Sequence, residues 1–251
     1  MVKLTVLIPC FNSEKVVRPT LESVKWADEI LACDSFSTDG TLNLMKEYGA
    51  RIIQHEYINS AAQKNWAIPQ CKHEWVLIVD TDEVLEPGLK EEIQEVLKNE
   101  NSAVQAYRIS RKNFMYGQWV RFGGVYPDYQ TRLFRKGKAQ YQTKEVHAHM
   151  IVEGEIGTFK HHFLHNGFKD IQDWFLKMTR YTRYEAEEFR KQGKSFSLWK
   201  AVLLPPLVFL KRYIFELGLL DGLRGFLLAV LDSFYYFMIY MRLFERRSQQ
   251  P

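Results

Sequence analysis

Cysteine is scarce in this chain, and what little there is excludes several chemistries. Cys10, Cys33 and Cys71 are odd in number, and none belongs to a Cys-x-x-Cys pair. A disulfide framework, a zinc ribbon and a dithiol redox centre are therefore not expected, and the three read as reduced thiols in a cytoplasmic setting. Neither Gly-x-Gly-x-x-Gly nor Gly-x-x-x-x-Gly-Lys-[Ser/Thr] occurs, so neither a dinucleotide fingerprint nor a P-loop is supported. There is no internal repeat and no low-complexity tract. The start of the chain, Met1 to Pro9, lacks the small-residue cleavage site of a signal peptide and reads as a first strand. A large excess of one charge is also missing, since the net charge is only +4. That charge is unevenly spread. Residues 1–159 hold 19 Lys+Arg against 21 Asp+Glu, while the more aromatic and apolar remainder holds 15 against 9. A basic, apolar segment of this kind suggests a membrane surface and no nucleic acid.

What is present begins with the run Trp75-Val76-Leu77-Ile78-Val79, followed at once by Asp80-Thr81-Asp82-Glu83. An unbroken Val/Ile/Leu run suits a strand buried on both faces of a parallel sheet. Open α/β sheets bind ligands beyond the carboxyl ends of their strands. Asp80 and Asp82, two apart on an extended backbone, point the same way and can hold one hard divalent cation beside a phosphate.

The pattern around that run is an alternation of strands and helices. Leu4 to Ile8 reads as a strand stopped by Pro9, with Ser13 capping a helix through Val24; Glu29 to Cys33 and Arg51 to Gln54 are further strands. Helices are expected from the 34–41 loop to Tyr48, from a Ser60 cap to Pro69, and from Pro87 to Lys98. This alternation predicts an α/β fold with a mostly parallel sheet flanked by helices. Beyond residue 100, Val104 to Ser110, Arg132 to Arg135 and Gly157 to Phe163 are strand candidates, and 113–129 reads as an irregular loop rich in Gly and aromatics. Asp170 caps a long helix that Gly193 stops. Residues 198–244 are strongly apolar and studded with Lys and Arg. The run from Gly225 to Met241 spans about 17 residues and carries Asp232, short of the roughly 20 apolar residues of a membrane span. Amphipathic helices lying in the headgroup plane fit this tail better, with packing on the protein itself or a homo-oligomer interface as the alternative.

Asn12 and Glu14 after the first strand, Asp34 after the second, and Asp80 with Asp82 after the fourth all fall on one edge of the expected sheet. Carboxylates there can accept hydrogen bonds from a ribose or a base. Lys64, on a helix leading to the same edge, can neutralise a phosphate. With no glycine-rich phosphate loop, the phosphates must be met by cations and a metal, which points to a nucleoside-diphosphate ligand with a divalent ion. Of the histidines, His147 or His165 can add a metal ligand or a diphosphate contact. Arg132 can bind diphosphate or an anionic acceptor.

Val6-Leu7-Ile8-Pro9-Cys10-Phe11-Asn12-Ser13-Glu14, Asp34-Ser35 with Ser37-Thr38-Asp39-Gly40-Thr41, Gln63-Lys64-Asn65 and Asp80-Thr81-Asp82-Glu83 together resemble an inverting glycosyltransferase of family 2 with the GT-A fold, over residues 3–165. Tyr126 to Arg135 and Val146-His147 resemble the small bacterial lipopolysaccharide core β-1,4-glucosyltransferases within it. The resemblance implies a GT-A catalytic domain over 1–168, with a nucleotide-sugar half (1–100) and an acceptor half (101–168), and a helical, membrane-associating or oligomerising extension over 169–251. It implies transfer of a hexose, glucose first, from a UDP-sugar to a lipopolysaccharide-core or lipid-linked saccharide acceptor at the cytoplasmic face of the inner membrane. Pro9, Asn12, Glu14 and Asp34 would hold the uracil and ribose side. Asp80 would touch the ribose, or the metal through water, and Asp82 would ligate Mg²⁺ or Mn²⁺, with His147 as a further candidate. Asp128 would be the general base, with Glu145 in reserve, and Trp119, Tyr126 and Tyr129 would stack on sugars. The Gln-x-x-Arg-Trp of processive synthases reads here as Gln130-Thr131-Arg132-Leu133, which argues against polymerisation. Two alternatives compete: a nucleotidyltransferase that makes an activated sugar, which would need a glycine-rich loop near the start, and a non-catalytic glycan- or lipid-binding protein, which would not need the acidic constellation.

Overall fold

A computed structural model of the chain describes residues 2–99, 103–142 and 149–247. The chain divides into two compact units, Met1–Lys112 with Asp128–His165, and Asn113–Pro127 with Asn166–Pro251.

The first unit is built on a mixed sheet. Its parallel half has the order β3 (Arg51–Gln54), β2 (Glu29–Asp34), β1 (Leu4–Cys10), β4 (Trp75–Ile78). The parallel pairing stops at β4, which pairs antiparallel with β8 (Asp128–Arg135); β8 in turn pairs antiparallel with β6 (Val104–Met115). The order continues through β11 (Glu155–Phe168) to β5 (Glu83–Leu85), while β9 (Ala139–Tyr141) and β10 (Met150–Val152) pair antiparallel in a separate two-stranded sheet. Strands β1, β2 and β4 are buried along nearly their whole length because helices cover both faces. Val6, Ile8, Leu77, Leu21, Met45, Leu89 and Ile93 fill one side, and Leu7, Leu31, Val76, Ile78 and Phe134 fill the other. Each fully buried Leu or Ile among them stabilises the fold by about 1.5–3 kcal/mol.

The helices α1 (Val17–Val24), α2 (Thr41–Glu47), α3 (Ser60–Ala67) and α4 (Pro87–Lys98) follow the expected alternation. Several boundaries differ. Strand β1 runs past Pro9 to Cys10, where the Cys10 carbonyl accepts from the Ser35 N–H at 3.0 Å. Asn59, not Ser60, caps α3, its side-chain oxygen accepting from the Ala62 N–H at 2.8 Å. The largest difference lies at 113–129. Strand β6 continues to Met115, turns through Tyr116 and Gly117, both at positive φ, and returns as β7 (Gln118–Trp119). The hairpin is hidden in the sequence because a Tyr seldom takes the left-handed conformation.

The second unit is helical. Helices α5 (Ile171–Lys191), α6 (Leu198–Leu210) and α7 (Gly222–Arg247) pack around Ala186, Ala201, Ile239, Tyr240 and Leu243. Asp170 caps α5, accepting from the Asp173 N–H at 2.7 Å, and Gly193 follows its end at φ 74°. Gly225 permits a very close backbone approach, since a Cβ there would overlap the Gly218 carbonyl. A second cluster joins Met115, Val120 and Leu231 with Phe168, Ile171 and Trp174.

Candidate active site

The carboxyl ends of β1, β2 and β4 lie on one edge because the three strands are parallel neighbours. Antiparallel β8 begins at that same edge, so its first residue, Asp128, joins the residues that follow β4. The geometry thus gathers the expected residues into two sets.

The first set joins the loops after β1 and β2. The Asn12 amide oxygen accepts from the Thr38 N–H at 2.9 Å, and the Asn12 N–H donates to Ser37 Oγ at 2.9 Å. A Glu14 carboxylate oxygen accepts from the Gly40 N–H at 2.9 Å; a Cβ on Gly40 would collide with that carboxylate. Asp34 is fully buried. It accepts from the Ser37 N–H and from the Gln54 amide, both at 3.0 Å, and from the Ser37 hydroxyl. These residues shape the loops by their own hydrogen bonds. Asn12 itself sits at φ 44° and Phe36 at φ 60°, a conformation that side chains adopt only when their surroundings enforce it. Pro9 lies inside β1 opposite Cys33.

The second set is ionic. Lys64 Nζ lies 3.0 Å from Asp80 Oδ1 and 5.6 Å from the centre of the Tyr141 ring. Arg132 Nη2 lies 2.6 Å from Asp80 Oδ2 and 2.8 Å from Glu83 Oε1. Arg111 Nη1 stands 3.5 Å from the same Glu83 oxygen, and its Nη2 is 2.6 Å from Asp128 Oδ2. The Gln130 amide donates to Asp128 Oδ1 at 2.9 Å. Three cations and three carboxylates therefore alternate from Lys64 to Asp128. Enclosure would push the Asp80 carboxyl up, although 31% of its side chain still meets solvent; the Arg132 and Lys64 charges outweigh it and hold that carboxyl far below the usual range.

Arg132 lies in a strand near the edge that carries the site, and it is buried. The cause is a β-bulge. Tyr107 pairs with Leu133 but Arg108 pairs with Thr131, so Arg132 is the extra residue between them. Residues 132 to 134 are consequently buried in succession, and the side chain is aimed at Asp80 and Glu83 instead of alternating outward. Glu83 and Arg111 had no assigned role in the sequence. Glu83 was visible only as the third carboxylate of its motif, and Arg111 carried no signal, because its register opposite Asp128 exists only once β6 and β8 pair.

Asp82 stands apart from this ionic row. Its Oδ1 is 3.7 Å from His165 Nε2, and His165 is reached through the β5–β11 pairing that sets it opposite Glu83. A carboxylate oxygen and an imidazole nitrogen suit Mn²⁺ or another borderline divalent ion. Among the described residues no three His, Cys, Asp or Glu side chains come close enough to form a metal centre alone. Asp82 and His165 would thus fit a metal whose other ligands come from a diphosphate and water, whereas Asp80 is already engaged by two cations. His147, Val146 and Glu145 lie outside the described residues. The three cysteines are buried, and burial pushes the Cys33 and Cys71 thiols up to about 11 and about 12, which leaves them inert.

The family model described as Glycosyl transferase family 2 matches residues 5–164. The chain belongs to glycosyl transferase family 2. Along the whole length of this family 2 transferase runs a similarity to the lipopolysaccharide core biosynthesis glycosyltransferase LpsC of Rhizobium meliloti (strain 1021). The two are 30% identical, over 98% of this chain and 93% of LpsC. Two solved structures share the fold. The mannosyltransferase PcManGT from Pyrobaculum calidifontis, in complex with GDP-Man and Mn²⁺, aligns with TM-score 0.56 at 13% identity, over 97% of this chain and 87% of that one. S. aureus TarS 1-349, in complex with UDP-GlcNAc, aligns with TM-score 0.52 at 15% identity, over 99% and 92%. The fold is GT-A, with the parallel half of the sheet continued by antiparallel strands.

Proposed function

We propose that this transferase is an inverting, metal-dependent enzyme that moves a hexose, glucose first, from a UDP-sugar to a lipopolysaccharide-core or lipid-linked saccharide. The observation that carries the reading is the ionic row ending in Asp128, beside the Asp82–His165 pair on the same sheet edge. The name of the relative LpsC supports the acceptor class, and the nucleotide sugars in the PcManGT and TarS structures support the donor class.

In this reading the loops tied by Asn12, Glu14 and Asp34 receive the nucleoside. Lys64 supplies positive charge beside the diphosphate, and Asp82 with His165 would hold Mg²⁺ or Mn²⁺. The metal, when bound, neutralises charge developing on the departing diphosphate. Asp128 takes the proton of the acceptor hydroxyl as its oxygen bonds to the anomeric carbon. The bond from that carbon to the diphosphate breaks, and UDP leaves with the electron pair. Attack on the face opposite the leaving group inverts the anomeric centre.

The helical unit would seat the enzyme on the cytoplasmic face of the membrane. Gly218–Glu245 is long and apolar enough to cross a bilayer by length and composition. Its polar contacts support a peripheral reading. Asp232 pairs with Arg212 at 2.9 Å, the Tyr235 hydroxyl donates to Glu185 at 2.6 Å, and Arg242 donates to Thr182 at 2.8 Å. A helix so tied to its neighbours by charged groups is poorly suited to lipid on all sides. The apolar surface of Trp199 and Phe215, at 75% and 79% exposed, is what would dip into the headgroups. A thermal-shift screen of UDP-, GDP- and dTDP-sugars with Mn²⁺ tests the donor assignment: UDP-glucose should raise the melting temperature most, and no shift with any nucleotide sugar would reject the reading.

A further inference from the structure

The middle of the ionic row has no part in the steps above. Glu83 is fully buried, and its Oε1 receives both Arg132 and Arg111 while its Oε2 accepts from the Asp80 N–H at 3.0 Å. Taking the Glu83 carboxylate and the Arg132 guanidinium out of water is costly, and apolar residues of similar volume often serve stability as well or better. The row is therefore poorly explained by stability alone. Its outer end is specific. Arg111 stands opposite Asp128 in the β6–β8 ladder and places both Nε, at 2.8 Å, and Nη2, at 2.6 Å, on Asp128 Oδ2. Both guanidinium donors close on one carboxylate oxygen, and the Gln130 amide holds the other, Oδ1, at 2.9 Å, so the carboxylate is fixed in direction as well as in place.

We propose that Arg111 and Glu83 are positioning residues for glycosyl transfer. Glu83, anchored through Arg132 to Asp80, fixes the Arg111 fork, and the fork orients the Asp128 carboxylate toward the acceptor hydroxyl. The row thereby ties the donor-side carboxylate to the base through side chains that touch neither substrate. This rests on Asp128 being the base.

The test uses the full-length chain with Arg111→Gln, Arg111→Lys, Asp128→Asn and the Arg111→Gln/Asp128→Asn double variant. Transfer is followed from UDP-glucose, with UDP-N-acetylglucosamine and GDP-mannose in parallel, to lipopolysaccharide extracted from cells deleted for this chain. Binding of UDP with Mn²⁺ is measured by calorimetry. Arg111→Gln should leave UDP affinity within about threefold and donor KM nearly unchanged, and lower kcat by about 10²-fold, the lower range for losing a positioned base. Arg111→Lys should recover roughly a tenth of wild-type kcat, because it restores the charge without the fork. The double variant should be no slower than Asp128→Asn alone, as expected for residues that act as one unit. If Asp128→Asn abolishes transfer while Arg111→Gln retains it, the positioning inference fails and the base assignment stands. If Asp128→Asn itself retains transfer, both fail. Loss of UDP binding in Arg111→Gln, or additive losses in the double variant, would also overturn the inference.

Discussion

Arg132 and Glu83 face each other at 2.8 Å with almost no exposure of either side chain. Neither charge has water to fall back on. Removing one partner leaves the other buried and only partly compensated, Arg132 by Asp80 and Glu83 by Arg111 at 3.5 Å, and breaking a buried pair typically costs about 3–5 kcal/mol. Glu83→Leu and Arg132→Met should each lower unfolding free energy by about that amount, and the double substitution should lose less than the sum of the two. Urea unfolding of the four proteins checks this; additive losses would show that the two charges do not depend on each other.

A second pair stabilises the start of α4 in a pH-dependent way. Burial alone would push the Glu86 carboxyl up, but Lys112 Nζ at 2.8 Å and His162 outweigh it and bring the carboxyl down to about 2, from an ordinary 4.5. A carboxyl depressed by folding adds stability above its unfolded value and loses it as pH falls toward the folded one. The stability difference between the wild-type chain and Glu86→Gln should be full at pH 7, shrink below about pH 4.5, and be nearly gone near pH 2. Urea midpoints across that range measure it, and a gap independent of pH would contradict the account.

The exposed apolar face of the helical unit gives a third expectation. The wild-type chain should sediment with vesicles containing anionic lipid and be released by high salt, because the attraction is partly electrostatic. Trp199→Ser with Phe215→Ser should weaken that binding about tenfold or more, given that each removes a large aromatic surface from the interface. A double variant that binds vesicles as tightly as wild type would place the attachment elsewhere, and a dimer that buries both residues in solution would replace the lipid with a second copy.

Much of this molecule is written locally in its sequence. The parallel half of the sheet follows from unbroken apolar runs such as 75–79 and from the helices between them, so β1 to β4 and α2 to α4 fall close to where the pattern puts them. The residues at strand ends were legible for the same reason, since parallel order brings Asn12, Asp34 and Asp80 to one edge. What stayed hidden depends on pairing between distant segments. The bulge that turns Arg132 inward, the register that sets Arg111 against Asp128, and the ladder that brings His165 to Asp82 have no local signature. The hairpin at Tyr116 and Gly117 was missed because its first residue is a poor left-handed former. Asn12 and Glu14 stand out in the sequence by their polar chemistry, and much of it is directed at the neighbouring loop.

In the proposed function, Asp82 with His165 would hold a metal beside a nucleoside diphosphate, while Asp80 stays with Lys64 and Arg132. Calorimetric titration of UDP, with Mn²⁺ and with chelator, into the wild-type chain and Asp82→Asn tests it most directly. Wild type should bind UDP at least about tenfold more tightly with Mn²⁺ than without, on the scale seen when metal sites are disturbed. Asp82→Asn should bind weakly and equally under both conditions. Equal UDP affinity in wild type with and without metal, or an Asp82→Asn chain that keeps the full metal effect, would contradict the account.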